Sequence, residues 1–477
     1  MRAFDFDQTL VEQYSRFSRS FTKIRSDDIR RQIDAEYEAG RFWPDSLLSF
    51  NPKYESGPLI SDLVAEGVLD EATGRIFRKN GEPLKLYRHQ AQAIAKARTG
   101  QSYVVTTGTG SGKSLCFFVP IVDAIVRARR SGQPRSTRAI IIYPMNALAN
   151  SQMQEIEGYL SQADVSDAVL PVVRRYTGQD EQEERERIRE NPPDILLTNF
   201  MMAELMLTRQ NDADRAILEN ARGLQFIVLD ELHTYRGRQG ADVAVLVRRI
   251  RNRLCPDRAP ICIGTSATMV SEGGEADRAS AVARVATKIF GNQIGPDAVI
   301  DEWLERKTDL ALKLEDVKPK LPAVLASPLP EKLTDEGLKT HPLAVWIELA
   351  IGLEEGMRLS RRQPMPFGEI VNKLAQDSGV APDRCREVLV EFLTKVSLPE
   401  RERGGTGDAA FLPFKLHRFI SGAGEVFTTL TAAPRTVLLE GQLEDPETPW
   451  HRLYPTRFCR NCGHEIHVVR RVSSPDG

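Results

Sequence analysis

The sequence predicts an α/β fold with a RecA-like, doubly wound parallel sheet over residues 86–290. In this range, short runs rich in Val and Ile alternate with segments that can form amphipathic helices. The strand-like runs are SYVVTT, RAIIIYP, DILLTN, QFIVLDE and PICIGTSAT. Strands that alternate with helices form parallel sheets, which bind their ligands at the carboxyl ends of the strands. Functional residues are therefore expected directly after these runs.

Composition indicates a globular protein without an extreme charge. The 477 residues include 64 Lys+Arg and 66 Asp+Glu, so nucleic-acid binding would need a local basic surface. The start of the chain has no apolar signal-peptide core, and no stretch approaches the roughly 18 apolar residues of a membrane span. The six cysteines include one close pair and do not resemble a disulfide framework. We expect a cytoplasmic protein with no membrane partner.

The flanking regions predict three further segments. Residues 1–85 form a helical N-terminal extension, residues 291–400 a mostly helical insert, and residues 401–477 a small β-containing segment that leads to a cysteine pair. Within 341–397, apolar residues recur with helical spacing on both sides of a Gly-containing turn. This pattern fits a winged-helix unit and a plain helical hairpin about equally.

The stretch TTGTGSGKS, 106–114, follows the first strand and opens a helix. Consecutive backbone N–H groups and a helix N-terminus bind phosphates at such a position. Lys113 would reach the β- and γ-phosphates, and the Ser114 hydroxyl would ligate Mg²⁺. A dinucleotide-binding loop is excluded because it needs glycine where Lys113 stands. The loop residues predicted to bind ATP are Thr107, Gly108, Thr109, Gly110, Ser111, Gly112, Lys113 and Ser114.

The stretch FIVLDELH, 226–233, is an apolar strand that ends in two carboxylates. Asp230 could hold Mg²⁺ through water, and Glu231 could orient or deprotonate the attacking water. The segment GTSATM follows the next strand and could link this acidic motif to bound nucleic acid. The predicted catalytic residues are Lys113, Asp230, Glu231 and His233. The predicted coupling residues are Ser266, Ala267 and Thr268.

In this order, TGTGSGKS, DELH and SAT resemble motifs I, II and III of superfamily 2 helicases. A small residue often replaces the first loop glycine in that family, which accommodates Thr107. YRHQAQAI is similar to the Q-motif, which implies that Gln90 reads the adenine with help from Arg88. YPMNALANSQ, RYTGQD and DILLTNFMM are similar to motifs that hold a nucleic-acid backbone. The nucleic-acid residues implied by this resemblance are Pro144, Asn146, Tyr176, Thr177, Gly178, Thr198 and Asn199.

YPMNALANSQ and DELHTYRGRQGADVAVLVRRI look like the large bacterial helicases of the YprA/MrfA group. Those proteins carry a cysteine-rich C-terminal domain and have relatives in the DISARM and Druantia anti-phage systems. The resemblance implies ATP- and Mg²⁺-dependent 3′→5′ movement on DNA, either single-stranded or duplex with an overhang. The implied setting is anti-phage defence or DNA repair, with other defence or nuclease subunits as partners. The alternatives are an ATP-binding scaffold, a double-strand translocase subunit without unwinding, and an RNA helicase.

The motor of this superfamily uses two RecA-like domains, of which the second supplies the arginines of motif VI, Q-x-x-G-R-x-x-R. No such stretch occurs in the sequence. Comparable arginines are worth roughly 10³–10⁵ in rate in related phosphoryl-transfer systems. We therefore expect a second motor domain to act in cis or in trans. Without it, the chain should bind ATP–Mg²⁺ weakly and hydrolyse it slowly.

The segment FCRNCGHEIH, 458–467, has the C-x-x-C spacing of a zinc knuckle at Cys459 and Cys462. A tetrahedral zinc site needs four ligands. His464 and His467 could complete a Cys₂His₂ set, although the short spacing would strain it. We favour half of a Cys₄ site, with Zn²⁺ bound in a longer chain or together with another chain. The alternative is a pair of ordinary reduced cysteines.

Two further patterns receive simpler interpretations. The basic run RRIRNRL, 248–254, is typical of a solvated helix face. FDFDQTL, 4–10, matches the nucleophile motif of haloacid-dehalogenase-type phosphatases, in which Asp5 would end a buried strand. Because only four residues precede Asp5 and a polar, helical segment follows it, we interpret this match as a coincidence.

Overall fold

The computed structural model describes residues 3–20, 23–108, 110–180, 182–209, 211–267, 275–356, 358–421, 425–439 and 441–468. The chain divides into two compact units, one formed by Tyr54–Glu305 and the other by Met1–Lys53 with Arg306–Gly477. Each unit has its own hydrophobic core. The predicted N-terminal extension, residues 1–85, is therefore divided: residues 54–85 belong to the first unit and the residues before them to the second.

The first unit is built on a seven-stranded sheet in which every neighbouring pair is parallel. The strands lie in the spatial order β7-β1-β6-β5-β2-β4-β3. In chain order they are β1 (Tyr103–Thr106), β2 (Ala139–Tyr143), β3 (Val173–Tyr176), β4 (Ile195–Asn199), β5 (Phe226–Leu229), β6 (Ile261–Ser266) and β7 (Val299–Asp301). Five coincide with the predicted runs, and β3 and β7 are additional. The edge strand β7 extends the sheet past residue 290.

Helices connect these strands, which confirms the predicted RecA-like fold. They are α1 (Arg88–Arg98), α2 (Leu115–Arg130), α3 (Asn146–Ser161), α4 (Gln182–Glu190), α5 (Phe200–Thr208), α6 (Asp212–Asn220), α7 (Gly237–Leu254) and α8 (Glu275–Phe290). Short 3₁₀ turns occupy Leu232–Thr234 and Pro296–Ala298. Most side chains of α2 are buried, and it carries the phosphate loop at its N-terminus.

Residues before α1 belong to the same unit. They form strands Ser56–Leu59, Arg78–Lys79, Glu82–Pro83 and Lys85–Tyr87 and helices Ile60–Ala65 and Glu71–Ile76. The buried carboxylate of Asp123 on α2 accepts hydrogen bonds from the Asp70 N–H (2.6 Å) and the Thr73 hydroxyl (3.0 Å). This carboxylate therefore fixes the second of these helices against α2.

The second unit contains the predicted helical N-terminal region, as helices Ala3–Ser20 and Asp27–Glu38. Its other helices are Leu314–Val317, Leu321–Ala326, Asp335–Lys339, Pro342–Ile347, Phe367–Ser378 and Pro382–Val396, with a π-helix at Glu348–Gly352 and 3₁₀ turns at Lys318–Lys320 and Glu400–Arg403. Strand Leu47–Phe50 lies between Met365–Pro366 and Phe414–His417 in an antiparallel sheet, and Leu353–Glu354 pairs with Ser360–Arg361. A four-stranded sheet has the order Val437–Leu438, Val426–Thr428, Tyr454–Phe458 and Glu465–His467.

The two helices expected from apolar spacing are Phe367–Ser378 and Pro382–Val396. The predicted apolar positions of both are buried. Gly379 ends the first helix with φ +69°, a left-handed conformation that favours glycine. Strand Met365–Pro366 directly precedes this pair and joins the three-stranded sheet. Helices beside antiparallel strands are compatible with a winged-helix unit, which stays a prediction.

Two minor interpretations are resolved by the structure. Asp5 lies in the exposed part of helix Ala3–Ser20 and not at a strand end, so the phosphatase match is a coincidence. The basic run on α7 is solvated in part, since Arg248 and Arg253 are exposed, but Arg248 and Arg251 also donate to backbone carbonyls at the C-terminus of α8. In the described residues, no helix combines the length and apolar character needed to cross a bilayer.

Candidate nucleotide-binding site

The loop between β1 and α2 has the backbone shape that the phosphate-loop prediction requires. Gly110 (φ +86°) and Gly112 (φ +67°) take left-handed conformations. A Cβ on Gly112 would also lie 2.6 Å from the Gln90 amide nitrogen. Thr107, which replaces the usual first glycine, is fully buried, and its hydroxyl lies 2.6 Å from the Ser111 hydroxyl. This hydrogen bond closes the loop internally.

Two side chains of α1 fix the loop. The Gln90 amide donates to the Gly112 carbonyl (2.9 Å) and the Ser111 carbonyl (3.3 Å), and its oxygen accepts from the Tyr87 N–H (2.8 Å). His89 Nε2 lies 3.0 Å from the Ser111 carbonyl, and burial lowers the His89 pKa to about 4, so the ring is neutral at pH 7. The amide nitrogen therefore holds the loop, and the amide oxygen caps the N-terminus of α1. The amide oxygen keeps a second lone pair, and its contact with an adenine stays a prediction.

Arg88 lies at the outer side of α1. It forms a bidentate ion pair with Glu55 (2.9 and 3.1 Å), and its guanidinium stacks 3.6 Å from the centroid of the Trp303 ring.

Glu302, the residue before Trp303, accepts a hydrogen bond from the Gly108 N–H at 3.0 Å. A carboxylate thus occupies a loop amide that is predicted to face phosphate. Sequence reasoning missed Glu302 because it belongs to no motif.

The acidic pair comes from the end of β5 and meets the loop lysine. Lys113 Nζ lies 3.4 Å from Glu231 Oε1. Thr265 on β6 donates its hydroxyl to Asp230 Oδ1 and accepts from the Glu231 N–H at 3.1 Å. Burial raises the pKa of Asp230, and the negative charge of Glu231 adds to this effect. Glu231 has φ +52° and ψ +55°, a left-handed conformation that side chains other than glycine adopt at a cost.

His233 connects the acidic motif to the end of β6. Its Nδ1 lies 3.2 Å from both the Ser266 hydroxyl and Glu231 Oε2, and 3.4 Å from the Ala267 N–H. Two of the predicted coupling residues therefore contact the predicted catalytic histidine directly. Thr109 and Thr268 lie outside the described residues.

The donor atoms at this edge suit Mg²⁺. Mg²⁺ prefers hard oxygen ligands, which Asp230 and the Ser114 hydroxyl offer. Ser114 Oγ donates to Glu155 Oε1 at 2.8 Å, so a third carboxylate joins Asp230 and Glu231 at the site of Lys113. This excess of negative charge, with Asp230 largely buried, fits a divalent cation. Sequence reasoning missed Glu155 because it lies in the middle of α3, away from any strand end.

Three of the predicted nucleic-acid residues are buried, and their side chains bond within the protein. The Tyr176 hydroxyl donates to Asp214 (2.6 Å), and the Thr198 hydroxyl donates to the Tyr176 carbonyl (2.7 Å). Thr177 donates its hydroxyl to Asp180 at 2.9 Å. In this conformation these three side chains fix the strand ends. Their contact with nucleic acid, through backbone or side chain, stays a prediction.

The other four predicted nucleic-acid residues, Pro144, Asn146, Gly178 and Asn199, are at least partly exposed. Asn199 donates to Asn146 Oδ1 (2.6 Å) and caps α5 by accepting from the Met202 N–H (2.7 Å). This bond joins the ends of β2 and β4. Met145, next to Asn146, and Met201, two residues after Asn199, have exposed fractions of 59% and 62%. This edge therefore also has an exposed apolar part, which the motifs did not indicate.

Cys459 and Cys462 lie in the turn between strands Tyr454–Phe458 and Glu465–His467. The Cys459 N–H donates to the His464 carbonyl (2.9 Å), and the Gly463 N–H donates to the Cys459 carbonyl (2.8 Å). Hydrogen bonds from the backbone of Cys462 and Asn461 lower the pKa of the Cys459 thiol. Across the described residues, no three His, Cys, Asp or Glu side chains gather as metal ligands. The Cys₂His₂ alternative is therefore not formed there.

Residues 87–275 match the family model of the DEAD/DEAH box helicases. The chain contains a DEAD/DEAH box helicase domain. The matched range includes the phosphate loop, the acidic pair and the end of β6, which are the residues that converge at the carboxyl edge of the sheet. The helicase domain therefore coincides with the core of the RecA-like unit.

Three curated relatives share this region. The uncharacterized ATP-dependent helicase YprA of Bacillus subtilis is 31% identical over 43% of this chain and 25% of its own length. The ATP-dependent helicase HRQ1 of Saccharomyces cerevisiae is 35% identical over 35% of this chain and 14% of its own length. Druantia protein DruE of Escherichia coli is 26% identical over 47% of this chain and 18% of its own length. The chain thus spans a quarter or less of the length of these relatives.

Among solved structures, the DUF1998 helicase MrfA bound to DNA matches with a TM-score of 0.40 and 22% identity, over 57% of this chain and 34% of that chain. The helicase Lhr of Mycobacterium smegmatis, bound to single-stranded DNA and AMP-PNP, matches with a TM-score of 0.40 and 21% identity. The match covers 55% of this chain and 33% of that chain.

Proposed function

We propose that the chain is the first motor half of an ATP-dependent superfamily 2 DNA helicase or translocase. The observation that carries the proposal is the convergence of three separate segments at one edge of the sheet. Lys113 of the phosphate loop contacts Glu231 of the acidic motif, and Thr265 of β6 fixes both members of the acidic pair. A loop for phosphates beside a pair of carboxylates is the arrangement that phosphoryl transfer to water requires.

Each proposed role follows from the chemistry of the side chain. The Lys113 ammonium offsets the negative charge on the transferred phosphoryl group, and backbone N–H groups of the loop hold its oxygens. Glu231 orients the attacking water and accepts its proton, with His233 linking it to Ser266. Ser114 and Asp230 would hold Mg²⁺, which neutralises charge on the phosphates when bound.

The nucleic-acid side is proposed as DNA, with movement in the 3′→5′ direction in the cytoplasm. Support comes from the motif resemblance and from the exposed edge that combines Asn146 and Asn199 with Met145 and Met201. The similarity to Druantia protein DruE supports a role in anti-phage defence, and DNA repair is the other proposed setting. Defence or nuclease subunits are proposed partners, and RNA is the alternative substrate. Binding of matched DNA and RNA oligonucleotides, with and without a non-hydrolysable ATP analogue, separates these substrates.

Nucleotide binding and single-turnover hydrolysis by the 477-residue chain test the ATP site. Lys113→Ala should weaken ATP binding at least tenfold, because it removes the cation of the loop. Glu231→Gln should leave binding within about twofold and slow hydrolysis by roughly 10²-fold or more, because only the proton acceptor is lost. The exposed Asp242→Asn is the matched control and should change neither quantity. Absence of ATP binding by the unaltered chain would refute the proposal.

We further propose that full activity needs a second RecA-like domain, since these 477 residues contain no motif VI. The chain alone should hydrolyse ATP slowly, and addition of the second motor domain should raise the rate. Strong DNA-stimulated turnover by the chain alone would contradict this requirement. An ATP-binding scaffold is the second candidate function. It would be favoured if Glu231→Gln had no effect even with the second domain present.

A further inference from the structure

Glu155 belongs to none of the recognised motifs, yet its carboxylate reaches the phosphate loop from the middle of α3. Ser114 Oγ donates to Glu155 Oε1 at 2.8 Å. The second oxygen, Oε2, accepts from the Gln152 side-chain amide one helical turn earlier at 3.1 Å. Both oxygens of the carboxylate are therefore held, one by the loop and one by its own helix.

The direction of the Ser114 hydroxyl proton decides whether this side chain can ligate a cation. A hydroxyl has one proton and two lone pairs, so a serine that binds a metal through a lone pair must point its proton at another acceptor. In the structure that acceptor is Glu155, whereas Asp230 accepts from Thr265. Glu155 thus leaves the lone pairs of Ser114 available to a cation.

The surroundings of Glu155 contain polar groups whose hydrogen-bonding capacity is not used among the described residues. The Tyr143 hydroxyl and the Gln152 amide oxygen are both buried without a hydrogen-bond partner there. Burial raises the pKa of Tyr143 well above its usual value, and the charges of Asp230 and Glu155 add to this effect. The Tyr143 hydroxyl is thus an enclosed polar group next to a negatively charged site. Ordered water or a hydrated cation is the usual partner of such groups.

We propose that Glu155 is a positioning residue for the magnesium ligand Ser114. It acts by accepting the hydroxyl proton and by adding a third negative charge near the cation. The inference rests on the proposed function, because it assumes that a Mg²⁺–nucleotide complex binds at the loop. It also gives α3 two roles. This helix begins at Asn146, in the region proposed to contact nucleic acid, and it carries Glu155 at the phosphate loop.

The test measures binding of a fluorescent ADP analogue to the 477-residue chain while Mg²⁺ is titrated, so that no turnover is needed. Glu155→Ala should raise the Mg²⁺ concentration for half-maximal binding by roughly tenfold, the lower end of what outer-shell partners of a metal contribute. Glu155→Gln should give a smaller shift, because its amide oxygen can still accept the proton of Ser114. Binding in EDTA should stay unchanged in both variants.

Two further variants separate positioning from general effects. Glu157→Gln removes the same charge from an exposed site on the same helix and should titrate like the unaltered chain. If Glu155 acts through Ser114, the double variant Ser114→Ala/Glu155→Ala should be no weaker than Ser114→Ala alone. The inference would be overturned if the Mg²⁺ shifts of the two single variants added up in the double variant, or if Glu155→Ala gave the same Mg²⁺ titration as the unaltered chain. It would also be overturned if Glu155→Ala bound the nucleotide equally weakly with Mg²⁺ and with EDTA and had a lowered melting temperature. If the unaltered chain bound no nucleotide, the proposed function itself would fail.

Discussion

At the scale of single residues, Glu302 competes for the phosphate loop. Its carboxylate accepts the Gly108 N–H at 3.0 Å and brings a negative charge to an amide predicted to bind phosphate. We predict that Glu302→Gln tightens Mg²⁺–ADP binding about fivefold, equivalent to about 1 kcal/mol, the upper range for a partly exposed charge pair. Equilibrium binding of a fluorescent analogue measures this change.

Glu305→Gln, three residues later, is the matched control for Glu302→Gln. Both substitutions remove one negative charge from the same segment, but the acceptor of the Gly108 N–H is Glu302. Equal tightening in both variants would mean that the general charge of the segment acts and that the Gly108 contact does not. Weaker binding by Glu302→Gln would show that the carboxylate supports the loop in its binding conformation.

A second residue-scale prediction concerns His341, which stacks on Phe392 with ring centroids 5.0 Å apart. Burial lowers its pKa to about 4, and its Nδ1 is buried without a partner among the described residues. Because the folded pKa lies below the unfolded value of 6.5, the stability contribution is complete above pH 6.5 and is lost as pH falls towards 4.

At pH 5 this loss should reach about 2 kcal/mol relative to pH 7. His341→Phe keeps an aromatic ring against Phe392 and removes the titrating group, so its free energy of unfolding should fall less over the same interval. Urea unfolding at both pH values measures the difference. The same pH dependence in the variant and the unaltered chain would show that His341 is not the source.

At the scale of elements, the strands were predictable and several side-chain positions were not. Runs such as QFIVLDE identify β5 and its terminal carboxylates because burial on both faces demands continuous apolar residues. Sequence alone did not show that Gln90 bonds to the loop backbone, that Thr198 is buried, or that Glu155 meets Ser114. Each of these depends on how a helix or strand packs against a segment distant in sequence, which local spacing does not encode.

The arginines of α7 give the element-scale prediction. Arg251 donates to the Phe290 carbonyl at 2.7 Å and Arg248 to the Lys288 carbonyl at 2.9 Å, which satisfies carbonyls left open where α8 ends. Arg251→Met should lower the local opening free energy of the last turn of α8 by about 1–2 kcal/mol. Hydrogen exchange of peptides that cover 283–291 measures this opening. Arg284→Met, exposed on α8 itself, should leave exchange there unchanged.

At the scale of the whole molecule, the proposed nucleotide site and the cysteine pair belong to different units. Residues 87–275, which match the DEAD/DEAH box model, lie within the unit Tyr54–Glu305, whereas Cys459 and Cys462 lie in the unit completed by residues 306–477. Loss of the thiols should therefore leave nucleotide binding at Lys113 unaffected. This separation lets the metal question be tested apart from ATP binding.

The last prediction concerns zinc content. Cys459 and Cys462 would supply two of the four ligands that a tetrahedral zinc site needs, and within the described residues no third ligand joins them. The purified 477-residue chain should therefore hold far less than one zinc per chain by elemental analysis, while a longer chain that adds two cysteines should hold one. Cys459→Ser should abolish zinc in the longer chain, and the buried Cys385→Ser should not. One zinc per chain in the 477-residue protein, lost on Cys459→Ser, would show that the site is already complete.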